Sequence, residues 1–260
     1  MNDKIFVLEL AKQAGVIMRR HFSNEVQKEW KSDKTPVTIA DKEINDLVAT
    51  AVAKDYPSHG LLTEEGGSNH EDRKYLWVCD PIDGTLPYAH GIPTSAFSLA
   101  LVKNGEPVLG VICDPLMDRV YFAEKGKGAT LNGKSISVIQ ETDLANKVVG
   151  TALVRLAYSP IDLLKLYKQL WDAGLKPINA IVTTYMGMLV AGGQLIANIF
   201  PGNKPWDTAA QKIIIEEAGG KVTDLKGNEQ RYDRLNGGIL ATNGLVHDRF
   251  LEILNRCYKS

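Results

Sequence analysis

The chain has 260 residues, 44% of them hydrophobic and 23% charged, with 30 Lys and Arg against 31 Asp and Glu for a net charge of −1. A chain of this size and composition buries most of its surface unaided, which excludes disorder and a fibrous repeat. The charge balance argues against a dedicated nucleic-acid or anionic-membrane binder, since either carries a basic surplus.

The elements follow in chain order. Met1-Asn2-Asp3-Lys4 runs straight into an amphipathic stretch without a signal-peptide core. No apolar run approaches the roughly 20 residues that span a bilayer, so a cytoplasmic location is expected. Phe6, Leu10, Ala14, Ile17 and Met18 recur at helical spacing and predict a first helix. Thr38-Ile39-Ala40-Asp41 has the form of a capping box, and Ile44, Leu47, Val48 and Ala51 behind it predict a second. Leu76-Trp77-Val78-Cys79 reads as a buried strand stopped by Asp80-Pro81.

From Ala96 to Val138 the pattern changes to strands: Phe97 to Val102, Val108 to Cys113 and Val120 to Ala123, with turns at Asn104-Gly105 and Asp114-Pro115. Helices are predicted over Leu163 to Trp171, over Thr184 to Val190 before Gly192-Gly193, from Asp207 to Gly219-Gly220, and after Asn243-Gly244. Trp77 and Trp171 are core candidates. No internal repeat or linker interrupts the chain. The order of elements implies an α/β (α+β) fold of alternating layers with at least two sheets. Cys79, Cys113 and Cys257 form no C-x-x-C pair, so neither a disulfide framework nor a thiolate zinc site is expected.

The carboxylates carry the chemistry. Asp80-Pro81-Ile82-Asp83-Gly84-Thr85 places two acids in a turn at the end of a buried strand. Acids this close repel each other unless a cation lies between them or one is protonated. Oxygen ligands favour Mg²⁺, Mn²⁺ or Ca²⁺ over zinc. An Asx-turn with a solvated acid fits the same string. Glu64-Glu65 follows another apolar run, and Asp207 stands at a helix start, where it also complements the helix dipole.

Together these strings resemble the inositol monophosphatase family of Mg²⁺-dependent, lithium-sensitive phosphomonoesterases. The resemblance rests on Glu64-Glu65, Asp80 to Thr85 and Trp206-Asp207-Thr208-Ala209-Ala210. It is supported by Pro36 to Asp41, His90-Gly91-Ile92-Pro93, Gly128 to Gly133 and Glu217-Ala218-Gly219-Gly220. The ordered set covers nearly the whole chain. It implies a layered α-β-α-β-α sugar-phosphatase fold with two mixed or antiparallel sheets, in one unit. Residues 1–145 would carry the large sheet and metal site, and 146–260 a smaller half contributing Asp207.

The resemblance further implies two to three Mg²⁺ ions, with Mn²⁺ as a substitute. Glu64, Asp80 and the Ile82 carbonyl would hold the first ion, Asp80, Asp83 and Asp207 the second, and Glu65 would support a third. Thr85, oriented by Asp41, would act with Glu64 on the attacking water. Asp83 and the amides of Gly84 and Thr85 would face the phosphate. The expected activity is hydrolysis of a small phosphorylated metabolite by metal-activated water in direct attack on phosphorus. A homodimer is implied, with neither nucleic acid nor membrane as partner.

The substrate pocket is assigned to Leu86, Phe200 and Thr183. Here the chain departs from members acting on inositol phosphates. Leu86-Pro87 stands where polar residues are usual, Ile181-Val182-Thr183-Thr184 replaces a Gly-Ser/Thr-Ala string, and Phe200 takes the place of an acid that contacts sugar hydroxyls. Discrimination among polyols rests on such hydrogen bonds, which puts inositol phosphate in question. Lys31 to Thr38 looks more like the histidinol-phosphatase and nucleotide 3′-phosphatase branches.

Two other classes compete. Gly128 to Ser135 matches the P-loop expression literally, but alternation after it and the hairpin signal Asn132-Gly133 argue for strands. A catalytically silent scaffold is disfavoured, because four clustered acids without a counter-ion cost stability. None of the five histidines has metal-ligand spacing, and His90 reads as a structural hydrogen-bonder beside the site.

Overall fold

The structure is a computed structural model that describes residues 2–23, 26–32, 34–66, 73–151, 159–179 and 182–259. Helix α1 (Asp3–His21) starts where the Asn2 side chain accepts from the amides of Lys4 and Ile5. A hairpin of β1 (Lys28–Trp30) and β2 (Pro36–Thr38) leads into α2 (Ile39–Asp55), and the capping box at Thr38 and Asp41 is formed.

A seven-stranded sheet in sequential order follows. It contains β3 (Gly60–Thr63), β4 (Tyr75–Asp83), β5 (Ala96–Lys103), β6 (Glu106–Asp114), β7 (Arg119–Glu124), β8 (Ala129–Leu131) and β9 (Lys134–Ser135). The pair β3–β4 is parallel and the others antiparallel. A single turn, α3 (Thr85–Tyr88), links β4 to β5. The second sheet has five strands in the order β11-β10-β12-β14-β13. These are β10 (Val148–Thr151), β11 (Lys176–Asn179), β12 (Ala197–Phe200), β13 (Lys221–Thr223) and β14 (Ile239–Thr242). Helices α4 (Leu163–Asp172), α5 (Thr183–Ala191), α6 (Pro205–Glu217) and α7 (His247–Asn255) complete the fold.

Strand periodicity explains the layering, since alternate side chains leave opposite faces of a sheet. Trp77 and Cys79 of β4 pack with Phe6 and Leu10 of α1 and Ile44 and Val48 of α2. Leu76 and Val78 face the other way, into a core shared with Met186 of α5, Ala210 and Ile213 of α6, and Ile239 of β14. Leu240 of β14 and Ile199 of β12 then meet Leu166 of α4 and Phe250 of α7. The result is the expected α-β-α-β-α stack. Among the described residues no helix is long and apolar enough to cross a membrane.

Several local expectations need correction. Strand β4 does not stop at Asp80-Pro81 but continues to Asp83 through a register shift against β5. Trp171 is 52% exposed, with the Lys176 ammonium over its ring at 4.8 Å, because the buried stripe of α4 runs through Leu163, Leu166 and Leu170. Helix α6 opens at Pro205, which puts Asp207 inside its first turn. Gly128 to Ser135 forms the β8–β9 hairpin, and the amides of Gly126 and Gly128 already donate to the Glu217 carboxylate at 2.8 and 2.7 Å. A P-loop reading is thereby overturned, since no helix follows to cradle phosphates.

Candidate active site

Two strand residues at positions i and i+3 normally point to opposite faces. Asp80 and Asp83 escape that rule because the ladder slips between them: Asp80 pairs with Ser98 and Asp83 with Ala96, three steps along β4 against two along β5. Pro81 has no amide hydrogen to give the ladder and sits inside this bulge, where none is needed. The bulge thus turns both carboxylates to one side.

Asp207 arrives from the first turn of α6, where Pro205 fixes the entry angle and the helix dipole favours a negative charge. Ligand oxygens of Asp80, Asp83 and Asp207 all lie within 4.8 Å of one another. Asp80 is 1% exposed, and its Oδ1 has no hydrogen-bond partner.

Burial, followed by the charges of Glu64, Asp83, Asp207 and Asp41, pushes the Asp80 carboxyl well above the usual carboxylate range. Asp207 is raised in the same way, by burial and then by Asp83 and Glu64. Burial also raises Asp83, but only to about 6, because the hydroxyl and amide of Thr184 donate to its carboxylate and favour the charged form. The three clustered acids, Asp80 buried and Asp83 and Asp207 half-buried, repel one another, and Asp80 keeps an orphaned oxygen. A hard, oxygen-seeking divalent cation fits the donor set.

Around this group the other sequence-derived residues take defined places. The Ile82 carbonyl accepts from the Thr85 hydroxyl at 3.0 Å, and that hydroxyl also lies 3.3 Å from Asp41 Oδ1. Gly84 adopts φ +86° and ends β4 in a turn that only glycine takes without strain. Glu64 and Glu65 sit just beyond β3 and outside the three-carboxylate group, and their carboxylates hold the Lys31 ammonium at 3.2 and 2.6 Å. His90 is hydrogen-bonded through Nδ1 to the Leu86 carbonyl at 2.8 Å.

The residues assigned to the substrate pocket differ in exposure. Leu86 is 43% exposed, whereas Phe200 and Thr183 are buried at 7% and 1%. Phe200 belongs to the core between the sheets, and the Thr183 hydroxyl accepts from Asn198 and Gln211 in the interior. Ile181 lies outside the described residues. Sequence reasoning missed Thr184 and Lys31. Thr184 stands two residues after Val182, the N-cap of an uncapped helix start, a signal that a polar partner must come from elsewhere. For Lys31, nothing in the local spacing points to a pair of acids on another element.

A carboxylate group able to hold a metal ion lies beside a glycine turn in an α-β-α-β-α stack, an arrangement suited to a metal-assisted hydrolase. The comparisons make the class specific. Residues 3–259 match the model of the inositol monophosphatase family. The fructose-1,6-bisphosphatase/inositol-1-monophosphatase of Thermotoga maritima is 32% identical over 98% of this chain and 96% of its own. A histidinol-phosphatase of Chlorobaculum parvum is 35% identical over 94% and 93%. The solved structure of a Thermotoga maritima IMPase superposes with a TM-score of 0.88 at 30% identity, covering 98% of each chain. The chain belongs to the inositol monophosphatase family, and it is a phosphatase that hydrolyses phosphate monoesters.

Proposed function

We propose that the enzyme is a Mg²⁺-dependent phosphatase of a small phosphorylated alcohol, acting as a lithium-sensitive cytoplasmic homodimer. The observation that carries the metal requirement is the Asp80–Asp83–Asp207 group, with its buried and orphaned Asp80 oxygen, beside the Gly84-Thr85 turn. Asp80 and Asp83 come from the half before residue 145 and Asp207 from the half after it, which supports one unit whose halves meet at the site.

Asp80, Asp83 and Asp207 would hold the ions, joined by the Ile82 carbonyl and, once Lys31 lets go, by Glu64 and Glu65. When bound, such ions neutralise the phosphate dianion, lower the pKa of water and stabilise the leaving alkoxide. The chain itself supplies the orientation. Asp41 and the Ile82 carbonyl fix the Thr85 hydroxyl, which with Glu64 positions the attacking water. Amides of Gly84 and Thr85 would donate to the phosphate oxygens. Water adds to phosphorus in line as the bond to the alcohol breaks, so solvent oxygen ends in inorganic phosphate and no phosphoenzyme forms.

Phe200 favours a substrate other than inositol phosphate. A buried phenyl ring in place of an acid removes a hydroxyl contact and adds none. This supports a second reading, histidinol phosphate or a nucleotide 3′-phosphate, and a histidinol-phosphatase is among the relatives. The test is phosphate release from inositol phosphates, fructose 1,6-bisphosphate, histidinol phosphate and a nucleotide 3′-phosphate, each with Mg²⁺ and with chelator. Release that persists in chelator overturns the metal requirement, and the preferred ester decides between the readings.

A further inference from the structure

Helix α5 begins without a cap of its own. Its N-cap position is Val182, whose side chain offers no acceptor, so the first-turn amides need one from elsewhere. Asp83, 101 residues away, supplies it: Oδ2 accepts from the Thr184 amide at 2.7 Å and also from the Thr184 hydroxyl. Thr184 is 0% exposed, so the donor side of both bonds is shielded from water.

Its neighbour Thr183 serves the opposite side. The Thr183 hydroxyl accepts from Asn198 Nδ2 at 3.3 Å and from Gln211 Nε2 at 3.4 Å. Gln211 Nε2 in turn donates to the Asp207 carbonyl at 2.5 Å. Two consecutive threonines therefore link the first turn of α5 to the backbone of Asp207 and to the carboxylate of Asp83.

We propose that Thr184 is a positioning residue for Asp83: its hydroxyl pins Oδ2 against α5, so that Oδ1 alone is presented to Asp80 and Asp207. The proposal rests on reading that group as a divalent-ion site. A carboxylate held by backbone amides alone, those of Thr184 and Gly84, keeps rotation about its terminal torsion, which is broad and nearly two-fold. The hydroxyl adds a side-chain donor on Oδ2 and restricts that freedom. Packing alone does not call for it, because the rest of α5 buries Met186, Met188 and Val190 in the core.

The test compares Thr184→Val, which keeps the shape and loses the donor, with Thr184→Ser, which keeps the donor. Mn²⁺ binding to the whole protein is titrated by electron paramagnetic resonance without substrate, and thermal melts confirm folding. Loss of a hydrogen bond to a metal ligand weakens ion binding about 10- to 100-fold, so Thr184→Val is expected in that range and Thr184→Ser close to the parent. In turnover, Thr184→Val is expected to need more metal and to recover kcat at saturating metal with KM for the phosphate ester unchanged. If the valine variant fails to fold, Thr184→Ala takes its place. Parent-like Mn²⁺ affinity in the valine or alanine variant, or a serine variant as weak as either, overturns the role of the hydroxyl. A parent protein that binds no Mn²⁺ overturns the divalent-ion reading, and that failure appears in the unsubstituted arm alone.

Discussion

Asp41 Oδ1 lies 3.3 Å from the Thr85 hydroxyl, across 44 residues of sequence. The other oxygen, Oδ2, accepts from the Thr38 amide at 2.8 Å and from its hydroxyl at 2.5 Å. One carboxylate therefore starts α2 and orients the Thr85 hydroxyl, and both tasks use its acceptor form.

Burial pushes Asp41 up to about 7, although the hydrogen bonds from Thr38 work in the other direction. Turnover is therefore expected to rise with pH through about 7, and Asp41→Asn to abolish that limb while lowering kcat. Stability moves the opposite way. The folded value lies above the unfolded one, 3.8, so the native state binds more protons across the window between them. Stability is complete below that window and falls as pH rises through it. The slope for one fully titrating group is roughly 1.4 kcal/mol per pH unit. Asp80, Asp83 and Asp207 are raised too and add slope of the same sign. Urea unfolding in chelator at several pH values checks this, and a flat profile, or an Asp41→Asn profile as steep as the parent's, would contradict it.

Lys31 already places a cation against Glu64 and Glu65. Metal binding at these acids, as proposed, would compete with an ammonium that is only 24% exposed. Lys31→Met is expected to tighten Mg²⁺ or Mn²⁺ binding by about three- to tenfold, the effect of removing a partly screened ion pair. Calorimetric titration of the ion measures it directly. Unchanged or weaker binding would show that Lys31 does not compete.

The layered fold was legible because its signals are local. The α1 stripe, the Thr38–Asp41 box and the alternation in β5 to β7 each need only neighbours in sequence. The aspartates were legible as a motif, whereas their convergence came only through the family resemblance and not from local spacing. It depends on a bulge at Pro81 that reads, in sequence, as the end of a strand. Thr184 and Lys31 were illegible for a related reason, since each acts on a partner on a distant element. Trp171 misled because helical spacing fixes relative faces and does not say which face is covered.

Asp83→Asn is expected to fold, because the amide oxygen of asparagine still accepts from Thr184 and keeps the start of α5 in place. In chelator the variant should be more stable than the parent, since it removes a buried negative charge from a group of like charges. With Mg²⁺ the order reverses. An ion at 100 times its dissociation constant stabilises the parent by about 2.7 kcal/mol, a shift of several degrees in a chain of this length. The variant should gain much less and lose most of its turnover. Melting curves with and without Mg²⁺ distinguish the cases, and near-parental turnover would remove Asp83 from the metal site.

Gly84→Ala tests the turn proposed to present amides to the phosphate. A β-carbon there would come within 2.5 Å of Val182 Cγ2 and 2.9 Å of the Thr94 carbonyl, at a φ of +86°. The left-handed backbone costs an L-residue roughly 1–2 kcal/mol, and overpacking typically costs another 1–3 kcal/mol. Val182→Ala in the same chain should relieve the side-chain clash only, because the Thr94 carbonyl is backbone and cannot withdraw. The single variant is therefore expected to lose about 2 kcal/mol or more of stability, and the double variant to recover part of it. Activity should stay low in both, since the strain falls on the amides of Gly84 and Thr85. Denaturant unfolding and turnover at saturating Mg²⁺ separate the two effects. Full activity in the double variant would mean that the backbone of this turn does not hold the phosphate.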